Sequence, residues 1–291
     1  MKYCKSNLFS IFLIIVAVII VVSIGGSIFR ALKQSSVYEG FSSASTPNWV
    51  IAGSTNDGST PTTGYSMDGV NWTITPLSIS NTRSLSCVAC NSDASLWLAG
   101  CNNGFLTSTD GINWTQNNNS NLYDGVASIF WSKEKSMWVN VGTTSQPNGW
   151  SLASIEYSTN GTSWTQCANN FGAGGNSNFS GVTYNNSING GTWVAVGRQF
   201  INNSYGPIVV YSTDGINWGQ SSSAQTNFPG GSLQSVISMG SNGFTAVGVM
   251  NPPVLTSVDG NTWIGGWENN SVMSNPFSLV YANNRLSLIH I

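Results

Sequence analysis

Five segments of this chain carry the same turn-and-anchor signal: YSMDGVNW (65–72), TSTDGINW (107–114), YSTNGTSW (157–164), YSTDGINW (211–218) and TSVDGNTW (256–263). Their tryptophans are 42, 50, 54 and 45 residues apart. A second pattern runs in phase with the first: WVIAG (49–53), WLAG (97–100), WVNVG (138–142), WVAVG (193–197) and FTAVG (244–248). Two independent motifs with one irregular period define a repeat. A period of about 40–50 residues constrains the fold more than any local motif.

Each unit has a physical reading. WVAVG is short, apolar, β-prone and closed by Gly, as expected of a buried strand. The Asp-Gly or Asn-Gly that follows is a hairpin signal, because the turn needs positive φ and Gly supplies it without strain. The Asp side chain also accepts nearby backbone N–H groups and locks the turn. The Trp two or three residues later is a large apolar anchor. The expected turn residues are Asp68, Gly69 and Trp72; Asp110, Gly111 and Trp114; Asn160, Gly161 and Trp164; Asp214, Gly215 and Trp218; and Asp259, Gly260 and Trp263. An all-β unit of this length, stacked on copies of itself, predicts a β-propeller of four-stranded antiparallel blades with at least five repeats. No long amphipathic helical pattern follows residue 46.

The five segments resemble Asp-box repeats of the BNR type, whose pattern is Ser-x-Asp-x-Gly-x-x-Trp. The resemblance covers residues 48–285. It implies a sialidase-like propeller in which the boxes are structural turns away from the functional face. Here Asp and Gly are adjacent, one residue closer than in that pattern. The chemistry of that family requires an arginine cluster, a Tyr–Glu nucleophile pair and an acid/base Asp. Residues 47–285 offer only Arg83, Arg198 and Arg285, and no Phe/Tyr-Arg-Ile-Pro segment. The resemblance therefore implies a non-catalytic member.

The flanks differ from the repeats. Residues 1–7 form a short tail, and residues 8–29 are 22 uncharged residues. A helix of that length measures about 33 Å and would cross a hydrocarbon core of roughly 30 Å. A single-pass anchor with the propeller outside the cytoplasm is expected, at the cell surface, in a lumen or on a virion envelope. Residues 30–46 read as a flexible Ser-rich stalk. At the other end LSLIHI (286–291) breaks the frame of the unit that FSLVYANNR (277–285) begins. The same six residues are what a common sequencing adapter encodes. They are expected to be foreign to the protein, with a sixth unit begun and the propeller truncated.

Composition narrows the function. Only 7% of residues are charged. Residues 47–285 carry five basic and ten acidic side chains, which excludes a phosphate-tracking nucleic-acid binder. The surface must be built from Asn, Ser, Thr and Gly. Sequons mark Asn118, Asn178, Asn185 and Asn202 as possible glycosylation sites in polar loops. Those at Asn71, Asn113 and Asn160 read as by-products of the turn motif. Cys87, Cys90, Cys101 and Cys167 could supply a disulfide in an oxidising compartment or remain buried thiols. No metal centre, cofactor or catalytic residue is expected.

The polar stretches 169–179 and 198–207 resemble adaptable recognition loops. The expected function is a non-enzymatic module that binds glycans or proteins. A carbohydrate-active enzyme with groups in a missing C-terminal part is the alternative, and a virion or cell-surface structural protein the second. A glycosidase would need two carboxylates roughly 5–10 Å apart.

Overall fold

The computed structural model of the chain describes residues 47–79, 82, 84–102, 104–117, 125–146, 149–168, 171, 175–201, 203–266, 276–282 and 285–290. The expected tail, anchor and stalk lie outside the described residues.

The described residues are built almost wholly into antiparallel strands. β1 (Trp49–Ser54), β2 (Pro61–Ser66) and β3 (Thr73–Pro76) form the first sheet. The second contains β4 (Leu85–Cys90), β5 (Trp97–Cys101), β6 (Gly104–Ser108) and β7 (Thr115–Asn117). The third contains β8 (Gly125–Ser132), β9 (Met137–Ser145), β10 (Ser151–Ser158) and β11 (Thr165–Gln166). The fourth contains β12 (Asn178–Asn185), β13 (Thr192–Ile201), β14 (Ser204–Ser212) and β15 (Gly219–Gln220). The fifth contains β16 (Ser232–Ser238), β17 (Phe244–Val249), β18 (Val254–Ser257) and β19 (Ile264–Gly265). β20 (Pro276–Ala282) and β21 (Arg285–His290) form a sixth, two-stranded pair. One helical turn, α1 (Ser222–Asn227), stands between β15 and β16, and the Ser221 hydroxyl caps it by accepting the Ala224 N–H.

Strands are in sequence order within every sheet. β4, β8, β12 and β16 are therefore one edge of their sheets, and each contacts the next, with β20 following β16. These are the inner strands of a propeller-like array. The expectation of four strands in every blade is corrected at the two ends. β1 is the counterpart of β5, β9, β13 and β17, so the first sheet has no described strand inside it. Residues 286–290, set apart by their sequence, pair with β20 where an aromatic-led strand stands in the other sheets.

The core lies between sheets. Met137, Val139 and Ile155 of the third sheet meet Phe179, Val182 and Trp193 of the fourth. On its other side the fourth sheet packs Val194, Val196 and Val209 against Leu233, Val236 and Phe244. β13 is thus covered on both faces, which is why WVAVG is a continuous apolar run. The motif tryptophans wedge these layers. Trp263 is fully buried with Val194 and Val209, and Trp164 stacks on Phe105 of the preceding sheet at 4.6 Å.

Candidate functional site

The two ends of the array are built differently. At one end all five turn motifs share one set of serine and Asp or Asn hydrogen bonds. In the first, the Ser66 hydroxyl accepts the N–H of Asp68 and Gly69. Asp68 Oδ1 accepts the N–H of Val70 and Asn71, both at 2.8 Å, while Asn71 Nδ2 donates to Oδ2. Asp110, Asp214 and Asp259 accept the corresponding pairs of N–H groups, and Asn160 does so with its amide oxygen. Gly69, Gly111, Gly161, Gly215 and Gly260 have φ between 72° and 82°. Trp218 and Trp263 seal their turns by donating Nε1 to the carbonyls of Gly215 and Gly260 at 3.0 Å.

These contacts set the turn carboxyls. For Asp68 the N–H groups of Asn71 and Val70 hold the carboxyl far below the ordinary range. For Asp214 burial opposes ionisation. The Asn217 side chain and the N–H groups of Asn217 and Ile216 outweigh it and hold the group at about 2.

The opposite end carries a recurrent irregularity. The inner strands have a β-bulge between Leu85/Cys87, Val126/Ser128, Phe179/Gly181, Leu233/Ser235 and Pro276/Ser278. A bulge leaves one residue unpaired and re-aims its side chain. The unpaired residues are Ser86, Ala127, Ser180, Gln234 and Phe277. The first four line a cavity of about 810 Å³ that opens where the inner strands begin. Opposite three bulges stand Gly142, Gly197 and Gly248. A Cβ there would lie 1.9–2.0 Å from the carbonyl oxygens of Gly125, Asn178 and Ser232. In the second sheet Cys101, and not Gly100, occupies this place, because Cys101 pairs with Leu85 as Gly197 pairs with Phe179. The alignment of WLAG with WVAVG is corrected by one residue.

The funnel is lined mostly by hydroxyls, amides and backbone, including Thr143, Ser151, Asn176 and Asn178, with Cys101, Val126, Ala127 and Phe179 also in its wall. Arg198 is the one ionic side chain among its described residues. Its Nε donates to Asn178 Oδ1 at 2.9 Å, and its guanidinium carbon lies 4.7 Å from the centre of the Tyr205 ring. Tyr205 in turn meets Phe200 edge-on at 5.0 Å. The stretches 169–179 and 198–207 meet here, Asn178 coming from one and Arg198 from the other. Trp150, 46% exposed, stands between Gly149 and Ser151 of the lining.

The remaining sequence-predicted residues are scattered. Asn185 is corrected as a glycosylation site: it is 1% exposed and its Nδ2 donates to the carbonyls of Gly240 and Gly243. Asn178 has both ends of its amide committed, to Arg198 and to Ser180. Asn118 and Asn202 lie outside the described residues. Of the two alternatives for the cysteines the structure has the thiols: Cys87, Cys101 and Cys167 are buried, Cys90 is half-buried, and no disulfide joins any of the four. Burial pushes the Cys90 thiol up to about 11 and the Cys167 thiol up to about 12. Among the described residues no carboxylate lines the funnel. Asp68, Asp110, Asp214 and Asp259 hold turns at the far end, Glu134 lies between β8 and β9, and Glu156 is buried.

Fold and funnel together define a propeller-like, all-β repeat protein with a polar axial mouth. No protein-family model and no curated protein matches the chain in sequence. Among solved structures it is similar to a gluconolactonase of Xanthomonas campestris, with TM-score 0.51, 10% identity, and 82% of this chain and 78% of that chain covered. It is also similar to a chain of a nidogen/laminin complex, with TM-score 0.43, 13% identity, and 71% and 70% covered. At such identities the likeness concerns the fold alone.

Proposed function

We propose that this chain is a membrane-anchored recognition module of the Asp-box type that holds a glycan in the funnel. The observation that carries the reading is the lining of the funnel: about 810 Å³ walled mostly by hydroxyls, amides and backbone, with the exposed aromatic Tyr205 against Arg198. Sugars present alternating hydroxyls and flat C–H faces, which such groups match through hydrogen bonds and aromatic contact. Sites of 300–1,000 Å³ are the usual size for small ligands. Residues 8–29 would tether the module and leave the funnel facing away from the cytoplasm. No described carboxylate pair favours the hydrolase alternative.

A glycan array probed with the full chain tests the reading. Wild type is expected to retain a defined set of oligosaccharides, and Gln234→Trp, which projects an indole into the funnel from a half-buried bulge position, is expected to lose them with little change in melting temperature. Retention of the same set by Gln234→Trp would place recognition elsewhere.

A further inference from the structure

We infer that the funnel selects glycans bearing an oxyanion, a carboxylate or sulfate on the sugar, and seats it on the guanidinium of Arg198. This rests on the reading of the funnel as a glycan site and specifies which glycans it takes.

Three observations converge on Arg198. The first is its isolation. It is the one charged side chain among the described lining residues, and no described carboxylate pairs with it. A cation facing a neutral polar cavity contributes little to binding a neutral sugar, because water solvates it equally well. Its value appears when the ligand brings a negative charge out of water.

The second is its fixed orientation. Asn178 Oδ1 accepts the Nε–H, and Asn178 Nδ2 donates to Ser180 Oγ at 2.9 Å, so the amide itself cannot turn freely. Tyr205 covers one face of the guanidinium, and Phe200 braces Tyr205. Asn178 and Ser180 lie on the inner strand β12, Phe200 on β13 and Tyr205 on β14, so the arrangement ties adjacent strands together. An arginine with Nε committed and one face covered keeps the N–H groups of both Nη atoms. That edge matches two oxygens of a planar or tetrahedral oxyanion.

The third is the companion chemistry. Ser180 and Gln234, the bulge residues of adjacent inner strands, line the same cavity as Arg198. A sugar ring anchored by its oxyanion has neutral donors and acceptors beside it for its hydroxyls.

The test uses paired ligands that differ only in charge: oligogalacturonate against its methyl ester, and sulfated against unsulfated dextran oligomers, titrated into the full chain by calorimetry. At least one acidic ligand is expected to bind roughly 10- to 100-fold more tightly than its neutral partner. Arg198→Gln is expected to collapse that ratio towards one. Arg198→Lys should restore only part of it, because an ammonium lacks the fork. Lys133→Gln removes the same charge from the hairpin at the other end and is expected to leave the ratio intact. The first pair reports a carboxylate and the second a sulfate. Equal affinity within both pairs, or a ratio unmoved by Arg198→Gln, overturns the oxyanion inference and leaves the glycan reading standing. Failure of wild type to bind either member of either pair, together with a blank glycan array, overturns both.

Discussion

Gly215 lies against the indole of Trp193: a Cβ on the glycine would sit 3.0 Å from Trp193 Nε1. The glycine of one repeated motif is thus seated on the aromatic of the other. The same contact recurs between Gly69 and Trp49 and between Gly161 and Trp138, each at 3.2 Å. The register explains it, since Trp193 pairs with Ser212, the serine that opens the turn. Two motifs repeat in phase because each is part of the other's packing. Gly215 has φ 77° and its added Cβ would also meet Met137 Cε at 2.3 Å, whereas Gly58 has φ 69° and open space around it. Gly215→Ala is therefore expected to lose about 2–4 kcal/mol, combining backbone strain with overpacking. Gly58→Ala should lose about 1–2 kcal/mol from strain alone. Urea unfolding of the two variants checks the difference.

The turn carboxyls make stability depend on acid. The Asp214 carboxyl is held at about 2 in the fold, below an unfolded value near 3.9. As pH falls the unfolded chain takes up the proton first, so this contribution is complete above about pH 4 and drains away towards pH 2. Asp214→Asn should flatten that part of the stability–pH curve. Asn160, which already accepts the Thr162 and Ser163 N–H groups at 2.9 Å, offers the reverse experiment. Asn160→Asp is expected to gain about 0.5–1 kcal/mol at pH 7 and to lose that gain below about pH 3. Thermal melts across pH 2–7 read both.

Between the second and third sheets a carboxyl and an amide are matched incompletely. Asn140 Nδ2 donates to Glu156 Oε2 at 3.1 Å, both residues are fully buried, and among the described residues Asn140 Oδ1 has no partner. A glutamine at 156 brings a donor of its own to that oxygen. Glu156→Gln is expected to stabilise the protein by about 1–2 kcal/mol, whereas Glu156→Ala should cost about 2–4 kcal/mol through the cavity and the orphaned amide. Denaturant midpoints distinguish the two signs.

Reactivity reports the thiols. With burial pushing Cys90 to about 11 and Cys167 to about 12, few thiolates exist at pH 8. Native protein is expected to leave both unmodified by iodoacetamide over minutes, and chain unfolded without reductant should be alkylated at all five cysteines. A pair that stays protected after unfolding would reveal a disulfide.

The turn end was legible because its chemistry is local. Ser, Asp or Asn, and Gly sit within four residues of one another and make the same hydrogen bonds in every copy, with a Trp three residues on. The funnel end was not. Its recurring element reads Leu85-Ser86-Cys87-Val88, Val126-Ala127-Ser128-Ile129, Phe179-Ser180-Gly181-Val182 and Leu233-Gln234-Ser235-Val236. These share only an apolar residue, a free position, a small residue and another apolar one. The free position is the bulge, and its chemistry differs from copy to copy, so no shared letter marks it. The small residue could have given it away: a Cβ on Gly181 would come within 3.3 Å of the Val236 nitrogen of the next sheet, which leaves room for little. Asn185 misled for the opposite reason. A sequon is a local pattern, and its burial is decided by Gly240 and Gly243 more than fifty residues away.

The bulge residues have a consequence for how such a chain can change. Ser86, Ala127, Ser180 and Gln234 are exempt from the ladder pairing and stand apart from the turns. Exchanging them alters the inner wall of the mouth one sheet at a time while every strand keeps its register. A library randomised at these positions would therefore vary selectivity on a constant frame, with the number of independent dials set by the number of sheets.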